Sequence, residues 1–491
     1  MKRPVLASFR PLRVLRTALP ILGWLALSSA ALAGGGGGGG GQLGGAPPPP
    51  PVPSTPAPTV ALPHTVEKLP NGMTVIYHPD HTVPTVVVNV SYSVGSRNEV
   101  AGRTGFAHLF EHLMFMGTKR APTKMFDAWM EAAGGWNNAW TSEDRTDYFD
   151  VGPPSALPLL LWLEADRMRD IGPLMTQEKL DAQRDVVKNE RRQSYENRPY
   201  GKADLRLSEL LYPPGHPYHH PVIGSHDDLT AAQVEDVKAF FAKWYDPANA
   251  SLVVAGDFDP AAIRPLVASH FGSVPSRAKP ADTSKTEAAG HHGTAATVTS
   301  LTDDVELPRV TLAWTSPAHF APGDAELDLL GTILGDGKSS RLFRTLVFDK
   351  KLAQSVSAHQ SSGVLESHFE IEIMLKPGVP FEKVEAVVTG ELAAIAKSGP
   401  SAEELARAQA GYEAAFVKRL ESVRERASIL NMYQAEVGRP DYAAEDLQRY
   451  RGATAAGVQA AWTKVSEKPR ITLRVSPEKR AEKPGPKGSE R

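Results

Sequence analysis

His108-Leu-Phe-Glu111-His112 places two imidazoles four residues apart with a carboxylate between them. Residues four apart share one face of a helix, so His108 and His112 can reach a single metal ion while Glu111 stands beside them. Two nitrogen ligands and an adjacent carboxylate are parts of a zinc hydrolase, written here in the inverted H-x-x-E-H order. The run 105–117 around them is otherwise apolar, which predicts a buried helix stopped at Gly117. The competing reading is a core helix whose histidines are merely hydrogen-bonded, which suits a lone histidine better than this pair at metal-ligand spacing.

A catalytic zinc takes three protein ligands and keeps one position open, and the chain has no cysteine, so the third must be His, Asp or Glu. A long polar helix over 176–194 offers Glu190, in Arg184-Asp-Val-Val-Lys-Asn-Glu190. On the residues alone, a surface glutamate paired with Lys188 or Arg191 is the favoured reading. Gly134-Gly-Trp-Asn-Asn138-Ala139-Trp-Thr141 reads as an exposed edge strand, to which an extended peptide adds by main-chain hydrogen bonds, or as a plain edge hairpin. His216, His219 and His220, in Gly-His-Pro-Tyr-His-His-Pro, are left out of the site because the helix already supplies two imidazoles and a proline-rich loop is more often structural.

The elements that must hold these residues divide into two α+β units. The first runs from the apolar stretches 73–77 and 85–92, through the motif helix, to 251–257. A Pro/Ala/Ser/Thr/Gly-rich segment near 276–296 separates it from a second unit. That unit has strands near 308–314 and 369–375 and helices at 325–334, 380–398 and 402–430. Its order of elements roughly repeats the first, which fits a two-fold internal architecture.

At 491 residues with 41% hydrophobic and 22% charged residues, the chain can bury two ordinary cores. Its first 33 residues carry Lys2, Arg3, Arg10, Arg13 and Arg16, then an apolar core and Ala31-Leu-Ala33. This reads as a signal peptide (1–33) cleaved after Ala33, with a retained anchor as the alternative. Its loss makes a chain of formal charge −2 more acidic, which disfavours nucleic acid. Without cysteine there is neither a disulfide nor a lipidated N-terminal thiol, so the expected location is periplasmic or secreted, with no stable membrane span after cleavage. A Gly/Pro-rich tether (34–61) follows, and a charged tail closes the chain (476–491).

The HLFEH motif, Asn138-Ala-Trp-Thr141 and the Arg184–Glu190 block together resemble the pitrilysin/insulinase family of zinc peptidases. Tyr245-Asp-Pro-Ala-Asn249 and Gly337-Lys-Ser-Ser-Arg-Leu-Phe343 extend the resemblance over about 62–475. It implies an α+β fold of two similar domains, each a mainly antiparallel sheet with helices on one face, forming one half of a clamshell. A zinc-binding peptidase domain would span 62–270, a linker 271–305 and a second, non-metal domain 306–475. The family's third ligand is a glutamate well downstream of the second histidine, and Glu190, after 77 intervening residues, satisfies that spacing.

The resemblance thus implies one Zn2+ per chain on His108, His112 and Glu190, with Glu111 as general base toward a zinc-activated water. Asn138, Ala139 and Thr141 would bind substrate. Gln183 stands where the family often has a second glutamate behind the ligands; it can hydrogen-bond but cannot accept a proton. The implied activity is endopeptidase cleavage of peptides or unfolded segments. A non-catalytic assembly subunit of the same fold is the alternative, although such subunits lose motif residues that this chain keeps. A purely structural zinc module would need a fourth ligand, and none is evident.

One part is missing. The family grips substrate from the face opposite zinc with an arginine and a tyrosine; Val347 and Gln354 occupy those places, and no tyrosine lies between Tyr245 and Tyr412. The resemblance therefore implies a heterodimer with a homologous subunit that lacks H-x-x-E-H and supplies the Arg/Tyr pair.

Overall fold

Among the described residues, eleven strands in two sheets carry the architecture. A computed structural model describes residues 60–277, 279–281, 285, 288 and 295–478. The expected signal segment ending at Ala33, the Gly/Pro tether through 59 and the tail from 479 lie outside them. The first sheet contains β1 (Thr65–Lys68), β2 (Thr74–Pro79), β3 (Val86–Tyr92), β4 (Trp136–Thr141), β5 (Thr146–Gly152) and β6 (Ala250–Gly256), in the spatial order β1-β2-β6-β3-β5-β4. The second contains β7 (Thr297–Asp303), β8 (Arg309–Ser316), β9 (Ala353–Ser361), β10 (Ser367–Leu375) and β11 (Ile471–Pro477), in the order β7-β11-β8-β10-β9.

The two orders are one pattern used twice. β2, β3, β4, β5 and β6 correspond in turn to β7, β8, β9, β10 and β11, down to the one parallel pair in each sheet, β2 with β6 and β7 with β11. The two similar α+β domains implied by the resemblance are present.

β3 and β6 are buried at every position because both faces of the first sheet are covered. On one face lie the helices of its own half. On the other lies the helix Val423–Glu436 from the second half, whose Val423, Ala427 and Leu430 pack on Ile76, Val87, Val253 and Ala255. Asn431 pins this contact: its amide donates to Asn89 O (2.9 Å) and Asn89 Oδ1 (2.7 Å), and its Oδ1 accepts from Ser251 Oγ (2.8 Å). The second sheet is covered reciprocally by the first-half helix Gly201–Leu211, through Ala203, Leu210 and Leu211 against Ala313, Ile471, Leu473 and Val475. Each half thus lends a helix to the other's open face.

Three expected boundaries differ. The stretch 402–430, read as one helix, is two, Ala402–Arg419 and Val423–Glu436, because the Ser422 hydroxyl accepts the Glu425 amide (3.4 Å) and starts a new helix. The expected linker 271–305 contains β7, and Phe271 and Val274 belong to the first core. β11 runs to Pro477, two residues past the expected domain end at 475. β7 and β11 were hidden because polar residues interrupt them and leave no apolar run. Among the described residues no helix is long and apolar enough to cross a membrane.

Candidate metal centre

The motif helix forms over Phe106–Leu113, burying Phe106, Leu109, Phe110 and Leu113 in the first core. It ends four residues before Gly117, whose positive φ turns the chain afterwards. Its N-cap, Gly105, has φ 86°, and a Cβ there would lie 2.8 Å from Ile223 O, so both the torsion and the space call for glycine. The first amides of the helix are taken by a residue that the sequence reading missed. Glu99 accepts from Gly105 N (2.8 Å) and Ala107 N (2.7 Å), a carboxylate at the positive end of the helix dipole. Burial pushes its carboxyl well above the usual carboxylate range, and these amides oppose that shift. An acidic residue shortly before an apolar helix was the only available signal.

The second supporting helix, Gln177–Arg191, starts at Thr176, whose hydroxyl accepts Lys179 N (3.4 Å). Leu180 and Val187 are its buried side, and Glu190 follows Val187 by three residues, which turns its carboxylate toward the motif helix. Immediately afterwards the helix widens into a π turn, Arg192–Glu196. Glu196 there pairs with Arg191 (3.1 Å) and His226 (2.8 Å), away from the metal ligands.

His108, His112 and Glu190 meet. His108 Nε2 and His112 Nε2 are 3.4 Å apart, Glu190 Oε2 is 3.3 Å from His112 Nε2, and Glu190 Oε1 is 3.9 Å from His108 Nε2. Two imidazole nitrogens and a carboxylate, each offering one ligand atom, lie within 4.8 Å of one another. Ligands about 2.0–2.1 Å from a tetrahedral zinc stand roughly 3.3 Å apart, so these distances fit zinc. Among the described residues no other group of three or more His, Asp or Glu meets that criterion.

Glu111 leaves the ligand cluster to the histidines and Glu190, and its Oε2 accepts the Thr141 hydroxyl at 2.6 Å. Thr141, expected to touch substrate, thus also contacts the expected base. It closes β4, the edge strand of the first sheet, which among the described residues pairs with β5 alone. Period-two alternation sends Asn137, Ala139 and Thr141 toward the helices and Trp136 and Trp140 to the other face. Trp136 meets Phe149 edge-on (5.6 Å between centroids), and Trp140 lies under the Arg145 guanidinium (4.6 Å). Asn138 is exposed and its Oδ1 accepts the Ala139 amide (2.9 Å), so the two expected substrate residues are tied to each other.

Gln183 sends its amide to Met116 Sδ (2.9 Å), just beyond the motif helix. Behind Glu111 the buried Tyr148 and Tyr245 join hydroxyls (2.9 Å). Burial pushes both phenols upward, and the charge of Glu111 adds to the shift. The three loop histidines serve structure: His216 Nδ1 accepts Tyr218 N (3.0 Å), His219 Nδ1 donates to Tyr212 O (2.6 Å), and His220 faces Glu99 at 3.6 Å. At the places expected for a clamp, Val347 packs against the second core and Gln354 is exposed on β9.

Comparison with known proteins bears on the family and the fold. Residues 74–212 match the model of the insulinase family (peptidase family M16), and residues 231–412 match that of the peptidase M16 inactive domain. The chain is 32% identical over 371 residues to the zinc protease PqqE of Helicobacter pylori, covering 75% of this chain and 83% of that protein. It is 28% identical over 408 residues to the uncharacterized zinc protease Rv2782c of Mycobacterium tuberculosis, covering 83% and 91%. A crystal structure of a protease from Helicobacter pylori superposes with a TM-score of 0.78 at 28% identity, over 85% of this chain and all of the other. The fold is also that of the peptidase M16 inactive domain from Pseudomonas fluorescens, with a TM-score of 0.74 at 18% identity, over 86% and 100%.

Proposed function

The chain belongs to the insulinase family, peptidase family M16, and from that premise we propose that it is a zinc-dependent endopeptidase acting on peptides or unfolded polypeptide segments. The observation that carries this reading is the convergence of His108, His112 and Glu190 with Glu111 held beside them by Thr141. When bound, zinc supplies Lewis acidity, polarising a scissile carbonyl and acidifying water. Glu111 takes the proton of the attacking water and returns it to the leaving nitrogen. Thr141 holds the carboxylate for both transfers, and the exposed edge of β4 receives an extended peptide backbone.

The apolar setting of Val347 and the exposed, uncharged Gln354 support the second part of the proposal. The working peptidase is a heterodimer, in which a homologous subunit lacking H-x-x-E-H supplies an arginine and a tyrosine across the cleft. The N-terminal segment through Ala33 directs export to the periplasm or beyond.

One experiment tests the chemistry. The purified chain, alone and mixed with its homologous subunit, is assayed on a quenched fluorescent peptide alongside Glu111→Gln and His108→Ala. The expected result is one zinc per chain in the parent and in Glu111→Gln, activity lost by several orders of magnitude in Glu111→Gln, and loss of metal in His108→Ala. Undiminished hydrolysis by Glu111→Gln, with contaminating peptidases excluded, would remove the assignment.

A further inference from the structure

The Gly215–Pro221 loop, set aside as a metal site, lies between the two halves of the fold. Tyr218, buried in this loop, donates its hydroxyl to Asp144 Oδ1 (2.5 Å) and accepts the Leu365 amide (3.0 Å). Asp144 accepts in addition from Arg97 (2.7 Å) and, on its other oxygen, from the Val364 amide (3.0 Å). Val364 and Leu365 lie in the β9–β10 connection of the metal-free half. Asp144 lies in the turn joining β4 to β5, three residues after Thr141. A Cβ on Gly363 would stand 3.0 Å from the Tyr218 ring, so glycine lets the connection lie against that ring.

The turn itself is stiff. Ser142 N donates to Arg145 O (2.9 Å), and the Ser142 hydroxyl accepts Asp144 N (3.1 Å) and Arg145 N (3.2 Å). Ser96 N and Arg97 N bind Ser142 O (3.2 Å) and Glu143 O (3.0 Å) from behind. Displacing Asp144 therefore moves the whole hairpin, including Thr141 and its 2.6 Å hydrogen bond to Glu111. His220, from the same loop, faces Glu99, which holds the first amides of the motif helix.

We propose that Tyr218 and Asp144 are positioning residues: their junction with Val364 and Leu365 lets the metal-free half hold the β4–β5 hairpin, and through Thr141 the Glu111 carboxylate, in its working place. This second step rests on Glu111 being the base. A small misplacement of a catalytic group costs up to about a hundredfold in rate, and here the loss is bounded by that of removing the Thr141 hydroxyl itself.

The test uses the full zinc-loaded chain in the assembly that cleaves peptide, with Tyr218→Phe, Thr141→Val, their double variant, and Tyr433→Phe. Tyr433 is a control of similar burial, whose hydroxyl binds Asp446 Oδ2 (2.8 Å) in the second half. Tyr218→Phe is expected to lower kcat by no more than Thr141→Val does, on the order of tenfold, with KM and zinc content near the parent's. The double variant should be no worse than the poorer single one, as for residues acting in series. Hydrogen exchange at the Ser142, Asp144 and Arg145 amides should accelerate in Tyr218→Phe and not in Tyr433→Phe.

Unchanged hairpin exchange in Tyr218→Phe overturns the junction. Faster exchange with an unchanged kcat, or losses that multiply in the double variant, overturns the link to Glu111. A parent chain that shows no zinc-dependent cleavage under any assembly would count instead against the peptidase reading, and the exchange comparison would still decide whether the junction holds the hairpin.

Discussion

Replacing Thr141 with valine separates two roles for this residue, gripping the substrate and holding the base. Valine keeps the branched shape and the strand preference of threonine and removes only the hydroxyl. The lost interaction is a 2.6 Å hydrogen bond to a carboxylate. Hydrogen bonds to charged groups contribute about 1.5–3 kcal/mol, and Thr141 is only half-buried, which favours the lower end. At about 1.4 kcal/mol per tenfold in rate, kcat should fall on the order of ten- to thirtyfold. Steady-state kinetics on a short fluorogenic peptide measure this, with zinc content and the unfolding midpoint recorded for each protein. If the hydroxyl acts on Glu111, the loss falls on kcat, KM stays close to the parent's, and Thr141→Ser recovers most of the rate. A Thr141→Val enzyme with the parent's kcat and a raised KM would refute the reasoning and return Thr141 to the substrate edge.

Glu190→Gln should weaken zinc retention during dialysis against a mild chelator by more than about tenfold, the scale on which even outer contacts affect metal affinity. Glu196→Gln should retain zinc, because that carboxylate is engaged by Arg191 and His226; metal analysis of both variants decides. The His319–Glu436 pair (2.7 Å) predicts a pH-dependent stability. Burial lowers the His319 pKa, but the Glu436 hydrogen bond and charge, with Asp324 and Asp328, reverse that and raise it above 6.5. Burial raises Glu436, and His319 more than reverses this, leaving it below 4.5. The histidine's contribution is complete below its unfolded value and disappears as pH rises through the raised one; the glutamate's is complete above its unfolded value and disappears as pH falls through the lowered one. The stability gap between parent and His319→Gln should therefore be widest between 4.5 and 6.5 and narrow in alkali, read as denaturation midpoints across pH. A gap that grows toward high pH would contradict the assignment.

The sequence made the chemistry more legible than the scaffold that aims it. His108, Glu111 and His112 are visible because a spacing of four is a local property that a helix turns into adjacency. β3 and β6 are visible because strands covered on both faces read as unbroken apolar runs. Glu190 is different in kind: its approach to the histidines depends on how two helices cross, which the intervening 77 residues do not state. The alternation of β4 announces two faces without saying which one meets the motif helix, so the hydrogen bond from Thr141 to Glu111 was not legible in it. Glu99 and Tyr218 have no periodic signature, since each acts through a single long-range contact. The break between the helices ending at Arg419 and beginning at Val423 contains neither glycine nor proline, so composition could not mark it.

The duplication shows how one half comes to hold the candidate ligand cluster and the other does not. The helix Asp324–Gly335 occupies the place in the second half that the motif helix occupies in the first, between the second and third strands of the repeated pattern, and it also begins after a left-handed glycine, Gly323 with φ 98°. Counted from the two N-cap glycines, Glu326 stands at the position of His108, Leu329 at that of Glu111 and Leu330 at that of His112. Leu329 and Leu330 are buried in the second core. Two buried leucines cannot bind metal, but they add apolar area where the first half keeps polar groups, about 1.5–3 kcal/mol for each side chain buried. The metal-free copy is thus free to be the firmer scaffold. Its helix Val423–Glu436 covers the back of the sheet whose edge is β4, and its β9–β10 connection holds the turn beyond Thr141. Removing the second half to obtain a minimal catalytic domain should therefore expose Ile76, Val87, Val253 and Ala255 and release the hairpin together, which makes the half-clamshell, rather than either domain alone, the smallest unit in which Glu111 is held.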